Sequence, residues 1–354
     1  VIYDHAEGNA MSSNTLLKRA LLVGAAAATA GVWAVAPRSF TDKRRNFVPD
    51  IPDVWYAHRG LHDAGSGLTP QYAAGSGEYV ALARRMALKA GYATSDYSGP
   101  IAPENSCAAF AAACEAGFGI ELDLQLTKDG QVVVVHDADL SRVAGDPRNI
   151  GDLTYEELTR IPLFGKGRPG DSRAKPVDDG SEDGVATAAA TTGYYQHVPL
   201  LCEVLRIVAG RVPLIVEYKF TTNGWDAGCE QLMSKGDELL QAYDGRYVIE
   251  SFHPGAVNWY RNHRPEVCRG QLAEDVSLGK ADVGRWASGK LLFDWLSKPD
   301  FIAYDWHGGK SPQVRLARAM GAVPVSWTVR SQEELEECSP WFDHHIFEAF
   351  VPRR

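Results

Sequence analysis

The sequence predicts an α/β protein whose main domain is a TIM-type (β/α)8 barrel, with a hairpin and loop insertions at its mouth and an N-terminal transmembrane segment ahead of it. Three observations carry that expectation. Short apolar runs alternate with helix-length stretches through residues 54–354, a pattern that builds a parallel sheet, and eight strands is the number that closes into a barrel. Charged residues end several of these runs, where a barrel gathers them at one mouth. An uncharged stretch, Ala20–Ala36, stands apart from everything after it.

The elements follow in chain order. Residues 1–19 form a leader ending in Lys18-Arg19, residues 20–36 the apolar segment and residues 37–53 a proline-containing basic linker. The apolar segment lies at the lower edge of the roughly 17–25 residues that span a bilayer. It admits two readings. One is a secretory signal with small residues at Ala28-Thr29-Ala30; the other, favoured because Pro37 follows Ala34-Val35-Ala36, is an uncleaved anchor. Four basic residues after the segment (Arg38, Lys43, Arg44, Arg45) against two before it place the domain on the cytoplasmic side.

Eight candidate strands then follow: Trp55–Ala57, Gly119–Leu124, Pro213–Tyr218, Tyr247–Phe252, Arg269–Leu272, Phe301–Tyr304, Val323–Val329 and His345–Phe347. Seven helical stretches lie between them: Ser106–Ala116, Leu200–Ala209, Ala227–Tyr243, Pro254–His263, Ala281–Leu296, Ser311–Met320 and Gln332–Cys338. Residues 61–103, with a helix over Glu78–Lys89, and residues 141–197, with the charged stretch Lys166–Gly184, break the alternation. Both read as insertions over the mouth, where loops vary and carry specificity.

Composition narrows the function. At 45% apolar and 10% aromatic residues the chain is globular. Its net charge is −9, and the first 50 residues hold six basic and four acidic residues, which leaves the remainder at −11. An acidic domain repels a nucleic-acid backbone, so no nucleic-acid partner is expected. Six scattered cysteines without a Cys-x-x-Cys pair support neither a zinc site nor a disulfide framework, and read as buried thiols.

Chemistry concentrates in Gly119–Asp137. Glu121 and Asp123 are two apart in a strand, so both point to one face. Two buried carboxylates repel unless one is protonated or a cation lies between them. A turn centred between Asp129 and Gly130 brings His136 back opposite Asp123, within a residue of register. Glu217 ends a third apolar run, with Lys219 on the same face. Three carboxylates suit a hard divalent cation, Mg²⁺ or Ca²⁺, with water and substrate oxygens completing its shell. His58 and Arg59 end the first strand, and Arg59 and Lys219 suit an anionic group such as phosphate. Singly, each motif is worth little; their joint placement at strand ends is the signal.

These residues resemble the glycerophosphodiester phosphodiesterase family. The matching stretches are His58-Arg59-Gly60, Pro103-Glu104-Asn105-Ser106, Glu121-Leu122-Asp123, Thr127-Lys128-Asp129-Gly130, His136-Asp137, Glu217-Tyr218-Lys219, Glu250-Ser251-Phe252 and Ser326-Trp327-Thr328. The resemblance implies metal-dependent hydrolysis of a small-molecule glycerophosphodiester to glycerol 3-phosphate and an alcohol. By it His58 and His136 are the acid/base pair, and Glu121, Asp123 and Glu217 hold the metal. Arg59 and Lys219 take the phosphate, and Trp327 and Phe252 line the substrate pocket. Two features depart from the family pattern: 42 residues separate Gly60 from Pro103, and the last strand closes on Phe347-Glu348 rather than Thr-Asp. A phospholipase D of the same fold and a membrane-tethered binding protein without chemistry are the alternatives.

Overall fold

The computed structural model describes residues 29–41, 50–164, 196–221, 224–277 and 283–353. Eight strands close a parallel barrel: β1 (Tyr56–His58), β2 (Gly119–Leu126), β6 (Leu214–Tyr218), β7 (Tyr247–Ser251), β8 (Arg269–Ala273), β9 (Phe301–Asp305), β10 (Val323–Val329) and β11 (His344–Phe347). Each pairs with the next in this order, and β11 returns to β1. β3 (Val132–Val134) folds back antiparallel on β2, and β4 (Asp139–Leu140) pairs with β5 (Asp146–Asn149) in a separate ribbon.

Alternation along the strands sorts the side chains. In β2, Ile120, Leu122 and Leu124 join the layer between barrel and helices, which leaves Glu121 and Asp123 for the interior face. β6 repeats the pattern, with Leu214, Val216 and Tyr218 outward and Ile215 inward. Tyr56, Ile215, Val248, Phe301, Ala303, Val325 and Ile346 fill the inside of the barrel, so the interior is a packed core with polar groups only toward its ends.

The expected strands are found within two residues at either end, and so are the expected helices except at two places. The stretch Ala281–Leu296 is two helices where described, Val283–Gly289 and Asp294–Ser297. The Gly289 carbonyl accepts from the Tyr304 hydroxyl at 2.7 Å, and Leu291 turns left-handed at φ 58°. Residues 61–103 do not simply cover the mouth. Their helix runs Ala73–Lys89 and packs on Cys107–Ala116 at the barrel's flank, because Tyr79, Ala83 and Ala87 make a buried stripe at helical spacing.

Residues 141–164 build a small second core from Val143, Ile150, Leu153, Leu158, Ile161 and Leu163 with Val133, Val135 and Leu140. The charged stretch Lys166–Gly184 lies outside the described residues, as does most of Ala20–Ala36. No helix among the described residues is long and apolar enough to cross a membrane. All six cysteines are free, with Cys229, Cys268 and Cys338 buried.

Candidate active site

Neighbouring parallel strands set the acidic residues side by side. Asp123 on β2 lies opposite Glu217 on β6, which lies opposite Glu250 on β7, while His58 on β1 lies opposite Glu121. Glu121, Asp123 and Glu217 are all buried, and each offers an oxygen within 4.8 Å of the others. Burial, then repulsion from Asp123, Glu217 and Glu250, pushes the Glu121 carboxyl well above the usual range. Burial likewise raises Glu217 against the pull of Lys219. In Asp123 burial is outweighed by Lys219, His136 and Arg59, which hold it well below that range.

Two cations answer these carboxylates directly. Lys219 Nζ lies 2.9 Å from Glu217 Oε2 and 3.2 Å from Asp123 Oδ1. The Asp123 Oδ1 contact lacks hydrogen-bond alignment, and that buried oxygen has no hydrogen-bond donor. Arg59 donates from its backbone to Glu121 at 3.1 Å and from its guanidinium to Glu104 at 2.8 Å, with Nε 3.5 Å from Asp123. Four buried carboxylates, counting Glu250 with its own unpartnered Oε2, thus face the charges of Lys219 and Arg59. The donor set is all oxygen, crowded and short of positive charge, which fits a hard divalent cation.

The two histidines are held from behind. His58 Nδ1 lies 2.7 Å from Glu348 Oε2, and its Nε2 faces Glu121 at 3.8 Å. Burial drives the His58 imidazolium down to about 4, against the pull of Glu348 and with Arg59 adding to the fall. A neutral ring therefore donates Nδ1–H to a fully buried carboxylate, which also accepts from Ser66 Oγ at 2.6 Å and Arg330 Nε at 2.7 Å. His136 is half-buried with Nδ1 2.7 Å from Asp137 Oδ1. Asp137 in turn accepts from Arg142 Nε at 2.7 Å, and the other two Arg142 nitrogens grip Glu104 at 2.7 and 2.6 Å. One chain of charge therefore runs from His136 through Asp137, Arg142 and Glu104 to Arg59.

The hairpin register lies one residue from an exact Asp123–His136 pairing, within the one-residue latitude expected. Leu124 pairs with Val134, so Val135, which donates to Asp123 O at 2.9 Å, stands opposite Asp123 and His136 one place beyond. The cause is a three-residue turn closed by Thr127 and Gln131, with Gly130 left-handed at φ 73°. His136 still comes near enough for its charge to act on Asp123 and Glu217.

Beside the carboxylates a cavity of about 720 Å³ opens between the ends of β6, β7 and β8, walled by Phe220, Phe252, His253 and Phe293 with Lys219 at its inner edge. Phe252 meets Trp327 edge-on at 5.5 Å, so one of the two aromatic residues expected at the pocket lines the cavity and the other backs it. Two residues that act on the histidines had no role in the sequence reading, Glu348 and Arg142. Asp137 directly after His136, and Arg142 five residues on, were the only local cues.

A family model described as the glycerophosphoryl diester phosphodiesterase family matches residues 93–345. The chain belongs to this family. The matched span begins after His58 and Arg59 and ends before Glu348, yet the fold returns all three to the same mouth. A glycerophosphodiester phosphodiesterase of Bacillus altitudinis is 32% identical over 176 residues, 49% of this chain and 62% of that one. Another from Caldanaerobacter subterraneus subsp. tengcongensis is 48% identical over 172 residues, 48% and 61% of the two chains. The match thus spans about three-fifths of those relatives' length. Among solved structures, an Oleispira antarctica phosphodiesterase in complex with the product sn-glycerol-3-phosphate is similar at TM-score 0.52 and 19% identity, over 71% of this chain and 89% of that one. A Silicibacter pomeroyi protein reaches 0.54 at 20% identity, over 70% and 85%. At these identities the likeness speaks for the fold.

Proposed function

We propose that the protein hydrolyses glycerophosphodiesters to sn-glycerol 3-phosphate and an alcohol, with a divalent cation held by Glu121, Asp123 and Glu217. The observation that carries this reading is the buried triad, whose oxygens lie within 4.8 Å of one another beside two histidines. The bound cation, Mg²⁺ or Ca²⁺, would polarise a nonbridging phosphate oxygen. Lys219 and Arg59 add fixed positive charge beside the phosphate.

One histidine takes the proton of the attacking hydroxyl as the new P–O bond forms. The other protonates the alcohol oxygen as its bond to phosphorus breaks. Glu348 and Asp137 each hold an Nδ1, which leaves both Nε2 atoms for these transfers. Either water attacks phosphorus directly, or the substrate's neighbouring glycerol hydroxyl attacks first and water then opens the resulting cyclic phosphate, the histidines exchanging roles, to give glycerol 3-phosphate. The assay is glycerol 3-phosphate release from glycerophosphocholine, with and without chelator.

The aromatic-walled cavity favours a second reading for the group that stays on the phosphate, since about 720 Å³ exceeds what a bare glycerol fills and leaves room for an acyl chain. A lysophospholipid would occupy more of it, and a human lysophospholipase D is 33% identical over 146 residues, 41% of this chain and 39% of that one. Release of choline from lysophosphatidylcholine at a kcat/KM above that for glycerophosphocholine would select this reading.

Residues 54–354 are read as the catalytic domain and Ala20–Ala36 as a membrane anchor on the cytoplasmic side. Fractionation of the intact chain, beside a variant lacking residues 1–28, tests the anchor. Deletion through residue 50 would be a poorer test, because it strips the buried Ala36 and Arg38 from the barrel.

A further inference from the structure

We propose that the N-terminal face of the barrel, the end opposite the active site, lies directly against a lipid surface, so that the mouth opens to water. The inference deepens the proposed function and rests on its anchor reading.

The chain around residue 36 is docked onto the barrel. Residues 29–34 are helical, and Val35, Ala36 and Arg38 are buried. Arg38 donates its backbone N–H to the Pro299 carbonyl at 3.0 Å, and its side chain donates to Asp300 at 3.2 Å and to the Pro265 carbonyl. Lys298 Nζ caps the Ala36 carbonyl at 3.1 Å, and Ser39 Oγ bonds the Met320 carbonyl at 2.9 Å. These partners all immediately precede β8, β9 or β10. They therefore mark the N-terminal ends of the strands, whereas His58, Glu217, Lys219 and Glu348 stand at or past the C-terminal ends.

No spacer remains between apolar run and barrel. With Val35 and Ala36 packed into protein, the fifteen residues from Ala20 to Ala34 would rise only about 22 Å as a helix, at about 1.5 Å per residue. The hydrocarbon layer is about 30 Å thick. Insertion of that run draws the base of the barrel into the head-group layer.

The base is built for that depth. Trp33 is 53% exposed, Phe40 57% and Trp295 39%. Trp33 stacks on Trp295 at 5.0 Å, with Lys298 Nζ 5.7 Å from the Trp33 ring. Tryptophans beside a lysine suit the boundary between hydrocarbon and head groups. The exposed aromatics of the opposite end, Trp225 and Phe252, adjoin the cavity and are left to the substrate.

The test is tryptophan quenching of the full chain on vesicles of phosphatidylcholine and phosphatidylglycerol carrying brominated acyl chains. The expected result is strong quenching of the wild type, most of which disappears in the double variant Trp33→Phe, Trp295→Phe and persists in Trp225→Phe. Phe40→Ser should weaken vesicle binding several-fold. Quenching lost in Trp225→Phe and kept in the double variant would put the mouth on the membrane and overturn the proposal. So would the absence of vesicle binding, the outcome expected if the chain's own first 28 residues cover the aromatic base. Because the readout needs no turnover, it fails or succeeds apart from the catalytic reading.

Discussion

His58 and His136 sit 78 positions apart in the sequence yet each has one ring nitrogen held by a carboxylate and the other left toward the mouth. General acid–base catalysis is worth roughly 10²–10⁴-fold, so His58→Ala and His136→Ala should each lose that much kcat while remaining folded. If they act as a unit, the double variant should lose much less than the product of the single losses. Near-normal turnover in either single variant would remove that histidine from the chemistry. Glu348 makes a further prediction. Its carboxylate fixes the His58 tautomer, and loss of such an orienting carboxylate in a histidine-dependent hydrolase has cost about 10⁴-fold. Glu348→Gln should therefore lower kcat by roughly 10²–10⁴-fold with little change in KM, and Glu348→Asp should recover part of it. An unchanged kcat in Glu348→Gln would make that residue structural only.

At the scale of single elements, the β2–β3 turn decides where His136 returns. Gly130 holds φ 73°, and a Cβ there would meet Lys235 Nζ at 2.9 Å and Gln231 Nε2 at 3.0 Å. Gly130→Ala should cost about 1 kcal/mol in urea unfolding and lower kcat more than a change of equal stability in the outer helices. Equal effects on both would mean that the turn does not position His136. The strands were legible from sequence because a parallel barrel strand is a short apolar run, and Glu121, Asp123 and Glu217 stood out as charges inside such runs. The register was not legible to the residue: an Asp-Gly pair serves a two-residue or a three-residue turn, and only the closing pair Thr127–Gln131 distinguishes them. The helix expected over Glu78–Lys89 reads as a mouth insertion because residues 61–103 break the strand–helix alternation, whereas its packing on the flank depends on small buried residues, Ala83 and Ala87, that leave a weak amphipathic signal. The role of Glu348 was not legible because His58 lies 290 residues away, and Arg142, only five residues from Asp137, also reaches Glu104 38 residues away, which no local spacing announces.

For the molecule as a whole, ionic contacts bind the mouth loops to the barrel and make its stability depend on pH. Glu104 is held down to about 2, where burial is outweighed by Arg142 and Arg59. A depressed carboxyl contributes stability that is full above its ordinary value, 4.5, and lost as pH falls toward about 2. Arg142→Met weakens that hold, so the variant should be less stable at neutral pH and its urea midpoint should fall less between pH 4.5 and about 2 than the wild type's; identical pH profiles would show that Arg142 contributes nothing to it. Glu104 also binds Arg59, whose backbone holds Glu121 of the triad. The most direct measurement is glycerol 3-phosphate release from glycerophosphocholine by exhaustively chelated protein, before and after addition of Mg²⁺ or Ca²⁺, with Asp123→Asn in parallel. The wild type should be inactive when stripped and recover with cation, while Asp123→Asn should stay inactive with either ion; full turnover by the stripped wild type would contradict the account.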